Sequence, residues 1–289
     1  MNTSLYTQHS RFWQKNMYVY PVLSRRSRGI SIGLNLTPGG ECNFRCCYCQ
    51  VRKEELRPGL PIHLEKMGEE LRHCVEAALS GAIFQHPPFD STATALRRVN
   101  DLALSGDGEP TISPSLEKVV QLAAKVRQEA IEKYPTAEAM QLVLITNATR
   151  LRKPEVQAAL EILAANNGAI WAKLDAGTAE YYARVNRSSV DFEEILAGIT
   201  DSSRKYRTVL QTLFMALKGE NLPEAELEIY IRRLETILAS GGKLDHIQLH
   251  TICRPPACSF CTPLPKEVLE NFAQKIERRT GILVETFAG

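Results

Sequence analysis

The chain has 289 residues, of which 44% are hydrophobic and 24% charged, so it can bury one large core and is not a disordered protein. Its 35 basic and 33 acidic residues nearly cancel. This balance excludes a strong overall electrostatic footprint for nucleic acid or an anionic membrane, although short basic runs leave a phosphate-bearing substrate open.

Short apolar strands alternate with amphipathic helices along the chain. Strands are predicted at residues 30–36, 102–104, 142–146, 169–174, 208–215 and 246–252. Helices are predicted at 61–80, from Pro114 with Ser113 as its N-cap, at 154–166, around Tyr181, and at 191–206, 223–240 and 265–280. Successive strand–helix units predict an α/β fold with a parallel sheet, because parallel strands need helical crossovers. A doubly wound open sheet and a partial barrel both fit this succession.

The predicted organisation has three parts. Residues 1–28 have no clear period and are expected to form an N-terminal extension packed on the core. Residues 29–256 would form the core domain, and residues 257–289 a C-terminal extension of one helix and a short strand.

Three cysteines follow the first predicted strand closely. Cys42, Cys46 and Cys49 have the pattern Cys-x3-Cys-x2-Cys, with Tyr48 directly before the third. Three soft thiolates in one short loop suit iron–sulfur ligation. A closed cluster would need four ligands, so this loop would leave one iron open to bind another molecule. The alternatives are a zinc site or ordinary buried thiols, but zinc sites normally show paired knuckles that add up to four ligands.

Polar and glycine-rich segments follow the next predicted strands. Gly106-Asp-Gly-Glu-Pro110 comes after the second strand, Asn147 after the third and Asp175 after the fourth. Active sites of parallel α/β folds lie beyond the carboxyl ends of the strands, so these segments are expected to meet the cysteine loop. Each also has a plainer interpretation on its own: a turn, a strand end, or an ion pair between Lys173 and Asp175.

These motifs resemble those of the radical S-adenosylmethionine (radical SAM) superfamily. Residues 106–109 resemble its Gly-Gly-Glu motif with Asp107 in the position of the first glycine, and residues 146–148 resemble Thr-Asn-Gly with Ala148 in place of glycine. Further matching segments are Ser24-Arg25-Arg26, Gly33-Leu34-Asn35-Leu36, Leu174-Asp-Ala176, Val185-Asn-Arg187, Leu210-Gln-Thr-Leu-Phe214 and Arg254-Pro-Pro256. Together they are similar to a subgroup of iron–sulfur oxidoreductases related to the wybutosine-synthesis enzymes of transfer RNA.

The resemblance implies a partial (β/α)6 TIM-like barrel and a 4Fe-4S cluster held by Cys42, Cys46 and Cys49. The open iron would bind S-adenosylmethionine (SAM). One-electron reduction would cleave SAM to methionine and a 5′-deoxyadenosyl radical, which abstracts hydrogen from an unidentified substrate. The electron would come from a flavodoxin- or ferredoxin-like donor.

The same resemblance implies the cofactor contacts. They are Tyr48, Gly106, Asp107, Gly108, Glu109, Asn147 and Asp175. Tyr48 would lie near the adenine, and Glu109 would receive the methionyl ammonium group. The residues that would act on the substrate itself are not identified.

A second group of cysteines lies near the end of the predicted core. Cys253, Cys258 and Cys261 have the pattern Cys-x4-Cys-x2-Cys and are flanked by prolines. A short, rigid loop of this kind predicts an auxiliary iron–sulfur cluster or a zinc site, with unrelated thiols as the alternative. The resemblance gives no support for this group. The remaining cysteines, Cys47 and Cys74, are interpreted as small packed residues.

Two other functions stay open. One is a tRNA-modifying enzyme of the wybutosine-synthesis type, against which the near-neutral charge and the lack of an apparent RNA-binding module weigh. The other is a non-catalytic zinc-binding interaction protein. With no apparent export signal and no apolar run near the ~18 residues of a membrane span, the expected location is the reducing cytoplasm, where cysteines stay thiols or bind metal.

Overall fold

The computed structural model describes residues 13–51 and 53–288, which form two compact units. The first unit comprises residues 13–41, 53–145 and 154–169, and the second comprises residues 42–51, 146–153 and 170–288. Residues 1–12 of the predicted N-terminal extension lie outside the described residues.

The first unit combines four strands with three helices. Its strands are β1 (Val19–Ser24), β2 (Gly29–Leu34), β3 (Val99–Leu104) and β4 (Gln141–Thr146), whose last residue is counted with the second unit. Its helices are α1 (Leu64–Leu79), α2 (Leu116–Lys133) and α3 (Pro154–Ala165). Strand β1 pairs antiparallel with β2, while β2, β3 and β4 run parallel. Every residue of β2 is buried, as expected for a parallel strand covered on both faces.

One buried carboxylate anchors β1 to helix α1. Glu70 accepts hydrogen bonds from the backbone N–H groups of Met17 (2.8 Å), Tyr18 (2.9 Å) and Val19 (3.2 Å). Three donors to one charged acceptor offset the cost of removing the carboxylate from water. Glu70 therefore fixes the position at which the chain enters the sheet.

The second unit continues the alternation of strands and helices. Its strands are β5 (Gly168–Lys173, whose first two residues are counted with the first unit), β6 (Thr208–Leu213), β7 (Ala216–Leu217), β8 (Leu244–His250), β9 (Cys261–Thr262) and β10 (Val284–Phe287). Its helices are α4 (Ala179–Val185), α5 (Phe192–Lys205), α6 (Glu224–Ala239) and α7 (Lys266–Thr280). Strands β5, β6, β8 and β10 pair in this order and run parallel, and β7 pairs antiparallel with β9. Within the described part of the chain, no helix has the length and apolar character needed to cross a bilayer.

The predicted α/β class, with the parallel strands of a partial TIM-like barrel, is confirmed. Strand β1 was not predicted, because Pro21 interrupts its pattern; an edge strand tolerates a residue that lacks the N–H donor. The predicted start of the second helix at Pro114 is wrong. Ser113 is extended, as residues before proline tend to be, and the helix begins at Leu116 with Ser115 at its N-cap position.

Candidate metal centre

The backbone of the cysteine loop is held by the end of helix α4. The N–H of Arg45 donates to the carbonyl oxygen of Asn186 (2.9 Å), and the N–H of Cys47 donates to that of Val185 (2.9 Å). All four residues belong to the second unit. These two bonds fix the middle of the loop without using any cysteine side chain.

The three predicted ligands are accessible to different degrees. Cys42 is exposed, while Cys46 and Cys49 are partly exposed. The N–H of Cys49 donates to the carbonyl oxygen of Cys46 (3.1 Å), so the second half of the pattern forms a tight turn. Three thiols in one short, partly open loop are a donor set that fits an iron–sulfur cluster with one free iron.

Several N–H groups point at two of these sulfurs. Asn186 Nδ2 lies 3.5 Å from Cys46 Sγ, and Asn147 Nδ2 lies 3.9 Å from Cys42 Sγ. The backbone N–H of Phe44 also donates to Cys42 Sγ (3.4 Å). Hydrogen bonds to ligand sulfurs stabilise their negative charge and tune the potential of a cluster that they hold.

Asn147 connects the end of β4 to the cysteine loop. Its Nδ2 donates to Asn43 Oδ1 (2.7 Å), and its Oδ1 accepts from the hydroxyl of Thr149 (2.8 Å). Ala148, which stands in the glycine position of the predicted motif, has a φ of +66°. This left-handed conformation is the one that favours glycine, so the turn keeps the backbone shape of the motif despite the substitution.

The carboxylate of Asp175 lies at the centre of a buried network. It accepts hydrogen bonds from the Tyr48 hydroxyl, from Asn186 Nδ2 (2.9 Å) and from the backbone N–H of Leu213 (2.9 Å). Lys173 Nζ lies 3.8 Å away, so the ion pair considered as the plainer interpretation is present. The side chain of Asp175 is fully buried, and this network fixes Tyr48 and Asn186 beside the loop.

Burial and one cation set the protonation of this region. Burial, followed by the nearby charge of Asp175, raises the pKa of Tyr48 well above its ordinary value, so the phenol stays neutral and donates a hydrogen bond to Asp175. Burial also raises the pKa of the Cys46 thiol to about 12, and the ammonium of Lys173 opposes this rise. Lys173 Nζ lies 5.0 Å from the centroid of the Tyr48 ring. Because the raised pKa keeps the Cys46 thiol protonated, metal binding must displace that proton.

The loop at residues 106–109 lies in the first unit and packs against the backbone of Glu41. A Cβ atom on Gly108 would lie 2.0 Å from the Glu41 carbonyl oxygen, which also accepts a hydrogen bond from the N–H of Glu109 (2.8 Å). Only glycine permits this approach. Asp107, which departs from the motif, is held by Asn35, whose Nδ2 donates to Asp107 Oδ2 (2.5 Å).

The carboxylate of Glu109 is buried and held by a neighbour. Its Oε1 accepts from the backbone N–H (3.1 Å) and the hydroxyl (2.5 Å) of Thr111. Gly106 is also required for packing, because a Cβ atom there would lie 2.1 Å from Asn35 Oδ1. The loop is therefore rigid around a carboxylate of fixed orientation.

The structure groups the remaining cysteines differently from the sequence pattern. The backbone N–H of Cys258 donates to the carbonyl oxygen of Cys47 (3.0 Å), so the segment that carries Cys258 and Cys261 lies beside Cys47. Cys74 is fully buried in α1, as predicted. Across the described residues, no three His, Cys, Asp or Glu side chains already stand in a metal-binding geometry, so either cysteine group would have to close on a metal.

Sequence reasoning missed the role of Asn186. The segment Val185-Asn-Arg187 contributed to the family resemblance, but no contact was predicted for it. In the structure, the Asn186 side chain bridges Cys46 and Asp175 and is almost fully buried. Its position just after a short helix gives no periodic signal from which this contact could have been inferred.

Comparison with known proteins finds a family model that matches most of the chain. The family model of the radical SAM superfamily matches residues 36–231. A protein named GTPase Obg from Brachyspira hyodysenteriae is 24% identical over 267 residues, which cover 92% of this chain and 34% of that protein. A UPF0026 protein from Synechocystis is 26% identical over 203 residues, covering 69% of this chain and 64% of its own length. The chain thus spans about a third of the first relative and under two thirds of the second.

The fold also resembles a solved protein. A structure of TYW1 with a lysine-pyruvate adduct bound matches with a TM-score of 0.57 and 16% sequence identity. The match covers 87% of this chain and 74% of that chain. At this identity the likeness shows a shared fold.

Proposed function

The chain belongs to the radical SAM superfamily and is an enzyme of that superfamily, and from this premise we propose that it reductively cleaves SAM to a 5′-deoxyadenosyl radical. Cys42, Cys46 and Cys49 would hold a 4Fe-4S cluster, whose free iron binds SAM. The radical would abstract hydrogen from a substrate that is not identified.

The observation that carries this proposal is the support around the cysteine loop. The side-chain amides of Asn147 and Asn186 point at two of the ligand sulfurs. The buried Asp175 holds Asn186 in that position. Donors aimed at individual sulfurs suit a centre whose charge changes on reduction, because they stabilise the added negative charge.

The cofactor contacts belong to the same proposal. Glu109 would receive the methionyl ammonium group, since its buried carboxylate is oriented by Thr111 and its loop needs glycine at position 108. The hydroxyl of Tyr48 already donates a hydrogen bond to Asp175, so Tyr48 would contact the adenine through its backbone or ring.

Anaerobic turnover tests the proposal. The reconstituted protein is mixed with SAM and dithionite, and 5′-deoxyadenosine and methionine are quantified. Cys46→Ala should lose the near-ultraviolet to visible absorbance of the cluster and all cleavage. Cys74→Ala, which removes a fully buried thiol from α1, is the matched control and should keep both. Full iron content and cleavage in Cys46→Ala would contradict the assignment.

Modification of tRNA is the second candidate activity. It is supported by the motifs shared with the wybutosine-synthesis enzymes, and the fold likeness to TYW1 is compatible with it. The net charge of +2 gives it no electrostatic support. A mobility shift with bulk tRNA, compared with an equal mass of unrelated duplex RNA, discriminates: no preference for tRNA would rule out this activity.

The remaining partners follow from the chemistry. A radical SAM enzyme needs a one-electron reductant, and we propose a flavodoxin- or ferredoxin-like donor. We also propose that the second cysteine group, Cys253, Cys258 and Cys261, holds zinc or an auxiliary cluster. Because the chain is an enzyme of this superfamily, a non-catalytic zinc-binding protein is not retained as an alternative.

A further inference from the structure

Cys47 lies between two cluster ligands in the sequence, but its side chain belongs with other thiols. Cys47 is fully buried, and Cys261 is only 3% exposed. The segment that carries Cys258 and Cys261 lies beside Cys47 in the second unit, within backbone hydrogen-bond distance.

Backbone hydrogen bonds hold the two segments together. The N–H of Ala257 donates to the carbonyl oxygen of Cys49 (2.9 Å), and the N–H of Cys258 donates to that of Cys47 (3.0 Å). The N–H of Cys261 donates to the carbonyl oxygen of Cys258 (3.1 Å), which closes the Cys-x2-Cys stretch into a tight turn. Metal-binding knuckles use this spacing, because the turn brings both sulfurs to one side.

A short ladder and a cation complete the surroundings. Cys261 pairs with Leu217 in the β7–β9 ladder, and this pairing fixes the position of its backbone. Arg187 Nη1 donates to Cys258 Sγ (3.5 Å), and its guanidinium carbon lies 5.6 Å from the centroid of the Phe260 ring. A fixed cation offsets the negative charge that several thiolates bring to a metal.

We propose that Cys47, Cys258 and Cys261 bind Zn²⁺, with Cys253 of the same loop as the fourth thiolate. Each thiol would release its proton to solvent as it binds the metal, and no electron is transferred. The site deepens the second metal centre proposed above by adding Cys47 as a ligand. It does not require the first cluster to be loaded. Bound zinc would tie residues 253–261 to the cysteine loop.

Metal counting on the full chain tests this site. Zinc, iron and sulfide are quantified after anaerobic purification and reconstitution. Wild type should retain about one zinc per chain, and Cys258→Ser and Cys261→Ser should lose it at least ~5-fold while keeping the irons of the first cluster. Cys47→Ser should lose zinc equally, and Cys74→Ser should lose nothing. Extra iron and sulfide in place of zinc, lost in the same variants, would support the same ligands with an auxiliary cluster as the occupant.

Cobalt provides a second measurement that does not depend on cluster loading. Co²⁺ added to the reduced, metal-free protein should give the intense visible bands of a tetrahedral thiolate site, and Cys47→Ser should weaken them. Unchanged bands and unchanged zinc in Cys47→Ser, beside a loss in Cys258→Ser, would overturn the role of Cys47. A Cys47–Cys261 disulfide in protein purified without oxygen would overturn the site. SAM cleavage by the same samples is scored separately, so failure here is distinct from failure of the proposed function.

Discussion

Two proposed groups of cysteines meet at one loop of this enzyme, which carries Cys42, Cys46 and Cys49 of the first group and Cys47 of the second, but their surroundings differ. The sulfurs of Cys42 and Cys46 receive side-chain amide N–H groups, and Cys42 is exposed. Cys47 and Cys261 are buried, and the carbonyl oxygen of Cys47 accepts a backbone hydrogen bond from Cys258 in the other segment. Reachable ligands suit a centre that binds a cofactor, whereas enclosed ligands suit a structural metal. Position in the sequence alone does not separate the two groups, since Cys46 and Cys47 are adjacent.

Removing the carboxylate of Asp175, which holds Asn186 beside Cys46, should have the largest effect on stability. Asp175→Ala leaves the Tyr48 hydroxyl, an Asn186 amide and a backbone N–H without their acceptor, so we expect a loss of about 3–5 kcal/mol in the free energy of unfolding. Urea denaturation of the metal-free protein measures it. The matched control is Asp201→Ala, whose partly exposed carboxylate pairs with Arg152 and Arg204 and should contribute less than about 1 kcal/mol. Equal effects of the two variants would contradict the central role of Asp175.

A substitution at Glu109 tests whether the first group of cysteines belongs to a SAM-binding centre. Glu109→Gln keeps an oxygen for Thr111 but removes the charge, so SAM should bind ~10- to 100-fold more weakly while the iron content is unchanged. Equilibrium binding of SAM to the reconstituted protein measures this change. Glu161→Gln, on the exposed side of α3, is the control. Undiminished affinity in Glu109→Gln would show that this carboxylate does not receive the ammonium group.

Two adjacent residues allow a direct test of the separation between the groups. Asn186 donates to Cys46, whereas Arg187 donates to Cys258. Asn186→Ala should shift the midpoint potential of the first cluster to a more negative value and leave zinc retention unchanged, because it removes a hydrogen bond that stabilises the reduced cluster. Arg187→Ala should leave that potential nearly unchanged and weaken zinc retention. Redox titration followed by EPR, together with zinc counting, measures both; the reverse pattern would contradict the separation.

The smallest expected effect concerns the turn beside Asn147. Ala148→Gly relieves a left-handed backbone at a φ of +66° but removes a buried methyl group, so the free energy of unfolding should rise by less than about 1 kcal/mol. Ala159→Gly in the interior of α3 is the control and should lower it by about 1 kcal/mol. Thermal unfolding measures both. A loss in Ala148→Gly as large as that in the control would show that the turn is not strained.

The sequence predicted what depends on local spacing. The Cys-x3-Cys-x2-Cys pattern and the glycine at position 108 were recognised from residues that are close together in the sequence. The alternation of predicted strands and helices predicted the parallel α/β fold. Cys47 and Cys261 are more than two hundred residues apart, so their contact depends on tertiary packing that no local pattern encodes. The contact of Asn186 with Cys46 was hidden for the same reason. Strand β1 was missed because Pro21 interrupts its sequence pattern, and only its pairing with β2 identifies it as a strand.

The most direct test is the EPR spectrum of the reduced first cluster, recorded with and without SAM. In the proposed centre, Cys42, Cys46 and Cys49 would leave one iron without a protein ligand, so SAM should change the g values of the signal. S-adenosylhomocysteine, which lacks the sulfonium charge, serves as the comparison ligand. A spectrum that SAM leaves unchanged, in protein with a full complement of iron and sulfide, would contradict an open iron in this loop.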